Sequence, residues 1–388
     1  MKTTRRLLMF CALTVPFFLS DTIRPAENAA AQSYFVYVGN YTAKTESKGI
    51  YLFEFSPDTG QLTAAGLAAE TADPSWVTVD PNGKYLYAAN ESGKASTVSA
   101  FSIDPRTGKL TLLNKLPALG RDPCYLSFDQ TGKYLFVANY TSGNVVVFPI
   151  EADGRLGQHT AAVTDPGAPG PDTKRQDGPH AHWIEPSADN HFVYVSDLGL
   201  DRVLVYSFDE NNGTLHAGTP QDQYSARVSP GAGPRHVVFG PDGKYMYVLA
   251  ELTSTVTVFA NEGHETFQSV QQIRALPKEF TGRNDAAEIA ILPNGKFLYT
   301  SNRGHDSIVV FSIDPVRGTL SEVEDVGTGG KEPRNFAIDP SGHYLLAENQ
   351  NSNTIVEFKI DQATGKLTRT GRVTKTPSPI CIAFLRRK

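Results

Sequence analysis

The chain has 388 residues, of which 40% are hydrophobic, 10% aromatic and 20% charged, a composition typical of a packed globular protein. Its formal net charge is −5 and it carries no basic stripe, which argues against nucleic acid as a partner. The three cysteines form no paired motif, so neither haem attachment nor a cysteine-based metal site is expected. We expect no cofactor and no metal.

The first 31 residues have the pattern of an export signal. Basic residues at positions 2, 5 and 6 precede an apolar run from Leu7 to Leu19, and Ala29-Ala30-Ala31 offers a cleavage site. The apolar run is shorter than a membrane span. The paired arginines at positions 5 and 6 also fit a twin-arginine signal. We therefore predict that residues 1–31 are a signal peptide and that the protein is periplasmic or secreted, without a stable membrane anchor.

After the signal, one pattern recurs six times. Each copy has an alternating strand, a turn, and a second strand rich in Tyr, Phe and Val, as in DPSWVTVDPNGKYLYAANE. The turn positions that set the period are Gly83, Gly132, Asn190, Gly243, Gly295 and Gly342. They lie 47 to 58 residues apart, and repeats of roughly 40–50 residues are typical of propeller blades. The sequence therefore predicts an all-β propeller with four-stranded blades.

The two ends of the chain supply a seventh blade. Residues 33–42 match the second strand of the repeat and residues 49–62 match the third, while the missing first strand is SPICIAFL at residues 378–385. Pairing the N-terminal and C-terminal strands closes the ring and removes exposed sheet edges. We therefore predict one seven-bladed propeller domain over residues 32–388, and we expect a monomer.

The most irregular segment is the insertion at residues 164–178, TDPGAPGPDTKRQDG. A long polar insertion in a propeller either covers the mouth of the central channel or has no effect on function. The sequence leaves both alternatives open.

Only Cys124 and Cys381 remain after the signal is removed. The aligned repeats place them on opposite strand faces, in blades that a third blade separates. Because a disulfide needs closely opposed Cβ atoms, we predict two free thiols.

Two positions of the repeat converge on one face of the propeller. The first strand of a blade lines the channel and the second runs antiparallel beside it, so the first strand begins where the second one ends. The position after the opening Pro holds Ser75, Cys124, His180, Arg235, Arg334 and Ile380. The position past the second strand holds Tyr41, Glu91, Tyr140, Leu198, Glu251, Arg303 and Gln350. This symmetry brings arginines, a histidine and a carboxylate to one channel mouth.

Asparagine dominates the preceding repeat position and forms a predicted ring around this mouth. Its members are Asn40, Asn90, Asn139, Asn302 and Asn349. The last three are candidate substrate-binding residues, although Asn also caps strand ends and turns through its side chain. His182 and His236 are further substrate-binding candidates, with packing or hydrogen bonding as the structural alternative.

The charged residues also have structural alternatives. Arg235 and Arg334 could pair with acidic neighbours such as Glu332, and Glu251 could form a salt bridge with Arg303 in the next blade. A surface ion pair contributes only about 0–1 kcal/mol. Stability is therefore a weak reason to gather unlike charges at one mouth, which favours a functional role.

Several motifs carry a family resemblance. GPHAH, SDLGLDRV, GPRHVVF, AELTSTVTVF, SNRGHDSIVVF and EPRNFAIDPSG resemble the lactonase family of seven-bladed propellers. The bacterial 6-phosphogluconolactonase branch is the most similar, and the fungal carboxymuconate-lactonising branch is more remote. The resemblance covers essentially the whole mature chain.

The resemblance implies that a His, an Arg and a Glu at the channel mouth carry the chemistry. They correspond to a histidine of the PHAH motif, for which His180 is the catalytic candidate, to Arg235 and to Glu251. Arg303 and Arg334 would then bind anionic groups. The implied reaction is metal-independent hydrolysis of a sugar lactone, with a small-molecule lactone or sugar acid as the partner.

Ring opening needs a base that delivers water and donors for the developing oxyanion. Either Glu251 or His180 is a candidate for the base, and the guanidinium of Arg235 suits a planar anion.

Two other functions remain open. A non-catalytic exported propeller could use the same face to bind a cell-wall or polysaccharide ligand, because propellers host unrelated functions. The same arginines could also serve a carboxymuconate-type cycloisomerase, which protonates carbon.

Overall fold

The computed structural model describes residues 33–217, 225–263 and 266–387. The predicted signal peptide lies outside these residues. The described strands form seven antiparallel sheets, which confirms the predicted seven-bladed propeller. Six blades have four strands and one carries a short fifth strand. Over the described residues, no helix has the length and apolar character needed to cross a membrane.

Strands are numbered in chain order, and only blade 1 combines strands from both ends of the chain. Blade 1 consists of β1 (Tyr34–Asn40), β2 (Gly49–Phe55), β3 (Leu62–Glu70) and β29 (Pro379–Arg386). Blade 2 consists of β4 (Pro74–Val79), β5 (Tyr85–Asn90), β6 (Thr97–Ile103) and β7 (Leu110–Pro117). Blade 3 consists of β8 (Pro123–Phe128), β9 (Tyr134–Asn139), β10 (Asn144–Pro149) and β11 (Ala161–Thr164).

The other four blades follow in chain order. Blade 4 consists of β12 (Ala181–Pro186), β13 (Phe192–Asp197), β14 (Arg202–Asp209), β15 (Thr214–Ala217) and the extra β16 (Ser225–Arg227). Blade 5 consists of β17 (Pro234–Phe239), β18 (Tyr245–Ala250), β19 (Thr255–Asn261) and β20 (Phe267–Arg274). Blade 6 consists of β21 (Asp285–Ile291), β22 (Phe297–Arg303), β23 (Ser307–Ile313) and β24 (Leu320–Gly327). Blade 7 consists of β25 (Pro333–Ile338), β26 (Tyr344–Asn349), β27 (Thr354–Ile360) and β28 (Leu367–Lys375). Short 3₁₀ helices span Gly93–Ala95 and Gln350–Ser352.

Blade 1 closes the ring as predicted. Strand β29 pairs antiparallel with β1, from Tyr34 opposite Arg386 to Asn40 opposite Pro379. The innermost strand of this blade therefore comes from the C-terminal end and the other three from the N-terminal end. This pairing leaves neither terminal strand as an open sheet edge.

The hairpin turns explain the repeated Asp and Gly of the sequence pattern. In blade 2, Gly83 has a φ of +68°, a conformation that favours glycine. The carboxylate of Asp80 accepts hydrogen bonds from the backbone N–H groups of residues 82, 84 and 85. Asp129 and Asp339 occupy the same place in blades 3 and 7. Each turn thus satisfies its own backbone donors and fixes the register of the two inner strands.

Tyrosines in the second strands tie neighbouring blades together. Each buried hydroxyl donates to a glycine carbonyl in an outer turn of the next blade. The pairs are Tyr37 to Gly108, Tyr87 to Gly154, Tyr247 to Gly318 and Tyr299 to Gly365, at 2.8 to 2.9 Å. The blades are therefore held by directed hydrogen bonds as well as by apolar packing.

Two buried acidic residues, Glu288 and Glu348, lie on β21 and β26 in neighbouring blades. Glu288 contacts His236 Nδ1 at 3.0 Å and accepts a hydrogen bond from Asn335 Nδ2. Glu348 is fully buried, and neither of its carboxyl oxygens has a hydrogen-bond partner in the described part of the chain. Burial, with a further contribution from nearby Glu288, raises the pKa of Glu348 well above its usual range. The surroundings of Glu348 therefore favour its neutral, protonated form.

We expect Glu348→Gln to remove part of the pH dependence of stability. A carboxyl with a raised folded pKa stabilises the fold at low pH and loses that contribution as the pH rises. Wild type and variant should have similar free energies of unfolding at pH 5. At pH 8 the variant should be more stable than the wild type, by about 1.4 kcal/mol for each pKa unit by which the fold raises the carboxyl pKa and which this pH has passed.

Denaturant unfolding at the two pH values measures this difference, with Glu46→Gln in an exposed loop as the matched control. An identical pH dependence in wild type and Glu348→Gln would contradict the assignment.

Candidate active site

A cavity of about 200 Å³ lies at the channel mouth where the second strands end. All seven blades contribute to it, together with the insertion between β11 and β12. Its lining residues are Tyr41, Glu91, Cys124, Tyr140, Arg175, His182, Arg235, Glu251, Arg303 and Arg334. Eight of the thirteen residues at the two converging repeat positions therefore line this cavity.

A β-bulge directs the first-strand residues into this cavity. In blade 5, Pro234 pairs with Ala250 and His236 pairs with Leu249, so Arg235 is an extra residue without a cross-strand partner. Bulges of this kind bend a strand and re-aim the extra side chain. The bulged residues that line the cavity are Cys124, His182, Arg235 and Arg334.

Glu251 is the centre of an ion cluster in the cavity. Its side chain is 4% exposed. Its Oε2 accepts hydrogen bonds from Arg235 Nη1 at 3.0 Å and from Arg303 Nη2 at 2.7 Å, and its Oε1 accepts one from Arg175 Nη2. Burial alone would raise the pKa of Glu251, but the surrounding guanidinium groups outweigh it and hold this pKa well below the usual range. Glu251 is therefore an ionised carboxylate with low proton affinity.

Arg235 connects Glu251 with a neutral imidazole. Its Nη1 also contacts His182 Nε2 at 2.5 Å, and its Nε donates to the carbonyl of Ala287 at 2.8 Å. Burial, followed by the charge of Arg235, lowers the pKa of His182 well below its usual range. Because a guanidinium only donates, Nε2 of His182 is the acceptor. The single ring proton then lies on Nδ1, which is 3.6 Å from Cys124 Sγ.

Arg235 itself stays charged. Burial, with repulsion from Arg303 and Arg334, lowers the pKa of Arg235 to about 10. Its Nη2 makes no hydrogen bond within the described residues. This buried cation therefore has a donor left for a ligand in the cavity.

The insertion at residues 164–178 contributes to the cavity through Arg175. Besides Glu251, the Arg175 side chain contacts Asp285 Oδ1 at 3.2 Å and remains 31% exposed. The next residue, Gln176, is buried and anchors the segment. Its Nε2 donates to the carbonyl of Leu198 and to Asp201 Oδ1, and its Oε1 accepts the backbone N–H of Asp172. Of the two alternatives left by the sequence, the structure supports a cover over part of the mouth.

The opposite side of the cavity carries Tyr41, Glu91 and Arg334. The Tyr41 hydroxyl donates to Glu91 Oε2 at 2.7 Å. The Arg334 guanidinium lies 5.5 Å from the centre of the Tyr41 ring. In the described part of the chain the Arg334 side chain forms no ion pair. The cavity thus has one cation and one carboxylate outside the Glu251 cluster.

The sequence of the chain matches that of a known protein family. The sequence profile of the family described as "Lactonase, 7-bladed beta-propeller" matches residues 35–384. The chain belongs to this lactonase family.

Individual relatives agree with this placement. The chain is 36% identical over 353 residues to a 6-phosphogluconolactonase of Bacillus subtilis, covering 91% of this chain and 98% of the relative. It is 37% identical over 304 residues to a 6-phosphogluconolactonase of Formosa agariphila, covering 77% and 84%. The solved structure of the Pseudomonas aeruginosa periplasmic gluconolactonase superposes with a TM-score of 0.85 at 32% identity, covering 92% of this chain and all of that one.

The predicted register of the PHAH motif is wrong by two residues. Ala181 pairs with Asp197, so Ala181 takes the place that Pro holds in other blades, and His182 is the bulged residue. His180 lies before the strand, where its ring stacks on Tyr140 at 4.7 Å and its Nε2 contacts Asp177 Oδ1 at 3.0 Å. The histidine of this lactonase that lines the cavity is His182.

Arg303 and Arg334 line the cavity as predicted, whereas His236 and the three candidate asparagines lie outside its lining. His236 is buried one layer deeper, with its ring edge-on to Trp76 and Tyr125. Asn139 and Asn302 donate to the carbonyls of Ala118 and Ala275 on the connection that enters the same blade. Asn349 accepts the hydroxyl of Thr328 in the corresponding place. These amides therefore form hydrogen bonds within the fold, which is the structural role expected of Asn side chains at strand ends and turns.

Of the ion pairs predicted for the charged residues, some are present in the structure and others are not. Arg235 pairs with Glu251, and no ion pair joins Arg235 or Arg334 to Glu332 in the described residues. The predicted bridge between Glu251 and Arg303 is confirmed. Because this bridge borders the cavity, it is also part of the site.

No group of three or more His, Cys, Asp or Glu side chains in residues 33–217, 225–263 and 266–387 is arranged to hold a metal ion. Both described cysteines are free and buried, in agreement with the predicted free thiols. Burial raises the pKa of the Cys124 thiol, so this cavity residue is present as a neutral thiol.

We expect Gln176→Ala to loosen the insertion. The change leaves the carbonyl of Leu198 and the N–H of Asp172 without partners, at a local cost of about 1–3 kcal/mol. Trypsin should then cut the native protein after Lys174 or Arg175 about 5- to 150-fold faster, since 1.4 kcal/mol is a factor of ten in the open population.

Mass spectrometry of the fragments identifies the cut. Gln61→Ala, in an exposed turn, is the matched control and should leave the cleavage rate unchanged. Equal rates for Gln176→Ala and wild type would show that Gln176 does not hold the segment.

Proposed function

We propose that the protein hydrolyses a sugar lactone in the cavity at the channel mouth. The observation that carries this proposal is the buried cluster in which one carboxylate, Glu251, binds three guanidinium groups. With Arg334 the cavity holds four arginines against two carboxylates, Glu251 and Glu91. The excess positive charge suits a reaction whose transition state and product are both anionic.

The arginines match the charge that develops during ring opening. Attack of water on a lactone carbonyl places negative charge on the carbonyl oxygen, and the product is a carboxylate. Arg235 is buried, charged and held in position by Glu251 and Ala287, so it is a preorganised donor for that oxygen. Arg334, on the other side of the cavity, is the second cation that an acidic substrate group or the product carboxylate could bind.

Family membership and the relatives support a lactone as the substrate class. Two of them are named 6-phosphogluconolactonase and one periplasmic gluconolactonase. We therefore propose an aldonolactone, with or without a phosphate group, as the substrate. Carbohydrate metabolism is the corresponding context.

We also propose that the protein works outside the cytoplasm, as a periplasmic or secreted monomer. The basic start, the short apolar run and the Ala-rich site at residues 29–31 support cleavage near Gln32. One similar solved structure is named a periplasmic gluconolactonase, which supports this proposal. N-terminal sequencing of the protein from its native cell tests this, and finding Met1 on cytoplasmic material would refute it.

We expect Arg235→Lys to lower kcat by about 10²–10³-fold, the effect of removing one preorganised oxyanion donor. Lysine keeps the charge but cannot reach Glu251, His182 and Ala287 at once with a single ammonium group. Steady-state hydrolysis with a buffer blank for spontaneous opening measures the change.

Arg106→Lys, in an exposed turn, is the matched control and should keep the wild-type rate. Thermal melting verifies that both variants are folded. A folded Arg235→Lys protein with more than half of the wild-type kcat would exclude this role.

A screen of phosphorylated against unphosphorylated lactones tests the substrate class. We expect turnover of at least one aldonolactone, with the hydroxy acid as the product identified by NMR. Better turnover of the phosphorylated lactone would assign a phosphate-binding role to the site. No turnover of any lactone would remove the proposed function.

A further inference from the structure

The two carboxylates of the cavity have opposite surroundings. Both oxygens of Glu251 are occupied by guanidinium groups, from Arg175, Arg235 and Arg303. A general base must accept a proton near the working pH. The arginines lower the pKa of Glu251 well below its usual range, which makes this carboxylate a weak base.

No guanidinium group pairs with the carboxylate of Glu91 within the described residues. Glu91 follows β5 in blade 2, whereas Glu251 follows β18 in blade 5, so the two lie in blades well separated around the ring. Its backbone N–H donates to the carbonyl of Asp73 at 2.9 Å, which fixes where the side chain begins. The carboxylate takes part in no ion pair among the described residues, and its one side-chain hydrogen bond there is from the Tyr41 hydroxyl to Oε2. Glu91 is partly exposed and lines the cavity, so Oε1 is left for a water molecule.

The side chains that surround Glu91 in the cavity are a phenol, a guanidinium and a thiol. Burial raises the pKa of Tyr41, so its phenol remains a donor to Oε2. Arg334 supplies a positive charge on the same side of the cavity. Cys124 is a neutral thiol and does not compete for the proton.

His182 is poorly suited to the same task. Its ring is neutral, but its Nε2 lone pair already accepts a hydrogen bond from Arg235. Its Nδ1 carries the proton and faces Cys124 Sγ. Neither ring nitrogen therefore offers a free lone pair to water.

We propose that Glu91 is the general base that activates water, and that Glu251 instead positions the arginines. The inference rests on the proposed lactonase function and adds a catalytic residue to it. Glu91 Oε1 takes a proton from water while the water oxygen bonds to the lactone carbonyl carbon and the carbonyl π electrons move to its oxygen.

The second half of the reaction restores the enzyme. The oxyanion reforms the C=O bond and the ring C–O bond breaks, with its electron pair remaining on the leaving oxygen. Glu91 returns its proton to that oxygen, and the carboxylate is regenerated. The new carboxylic acid then releases one proton to solvent, so the net reaction consumes one water molecule per lactone.

The test compares Glu→Gln changes at two cavity positions and one remote position in the full mature propeller. With glucono-δ-lactone as the probe, Glu91→Gln should lower kcat by about 10²–10⁴-fold, the usual contribution of general acid–base catalysis. Its KM and melting temperature should be nearly unchanged, because the side chain is partly exposed and makes one hydrogen bond. Glu91→Asp, which keeps a carboxylate, should retain more activity than Glu91→Gln.

Glu251→Gln should behave differently. Removing the carboxylate that three guanidinium groups share leaves the buried Arg235 and Arg303 without a charged partner among the described residues, so the melting temperature should fall and KM should rise. Glu70→Gln, exposed on β3, should leave kcat, KM and melting temperature at wild-type values.

The possible outcomes distinguish a failure of the lactonase function from a failure of the Glu91 assignment alone. Wild-type protein that hydrolyses no lactone overturns the lactonase function and this inference together. Active wild type with a folded Glu91→Gln variant that keeps more than about one-tenth of kcat overturns the base assignment alone, since that loss is below the range for a general base. Equal activity of Glu91→Asp and Glu91→Gln also overturns it.

Discussion

The carboxylate of Glu251, shared by three guanidinium groups, is the interaction on which the cavity depends. A buried charge without partners costs several kcal/mol, so neither Glu251 nor Arg235 could lie where it does alone. The three arginines come from different places: a bulge in blade 5, the end of β22 in blade 6, and the insertion. One carboxylate therefore joins two blades and the insertion, and it orients cations toward a cavity of about 200 Å³.

The repeated β-bulge is what makes this cluster possible on a propeller. In each blade the first strand bulges shortly after its opening position, and in blades 3, 4, 5 and 7 the bulged side chain lines the cavity at the channel mouth. The blade scaffold can then stay constant while the bulged residue varies, from Ser75 to Cys124 to Arg235. The site is thus built from differences between otherwise equivalent positions.

Much of this could be predicted from the sequence, because the repeated copies can be aligned with one another. Turn residues such as Gly83 mark the blade period, and the position of Glu251 in one copy implies that of Glu91 in another.

The register of β12 could not be predicted, because Pro179 precedes that strand by two residues and imitates the opening Pro of other blades. The place of Arg175 in the cavity could not be predicted, because the insertion has no counterpart in the repeat. Contacts with residues distant in the sequence, such as those of Gln176, hold the insertion in position. The sequence left both substrate binding and a structural role open for asparagines such as Asn139. The hydrogen bond from its side chain to the carbonyl of Ala118 identifies the structural role.

A crystal structure with the aldonic acid product bound tests most directly whether the cavity is the lactone site. The product carboxylate should lie within about 2.7–2.9 Å of a guanidinium nitrogen of Arg235 or Arg334, the distance of a charge-assisted hydrogen bond. Glu251 should keep its arginine partners in that complex. An aldonate bound elsewhere on the propeller, with the cavity at the channel mouth empty, would contradict the assignment of the site.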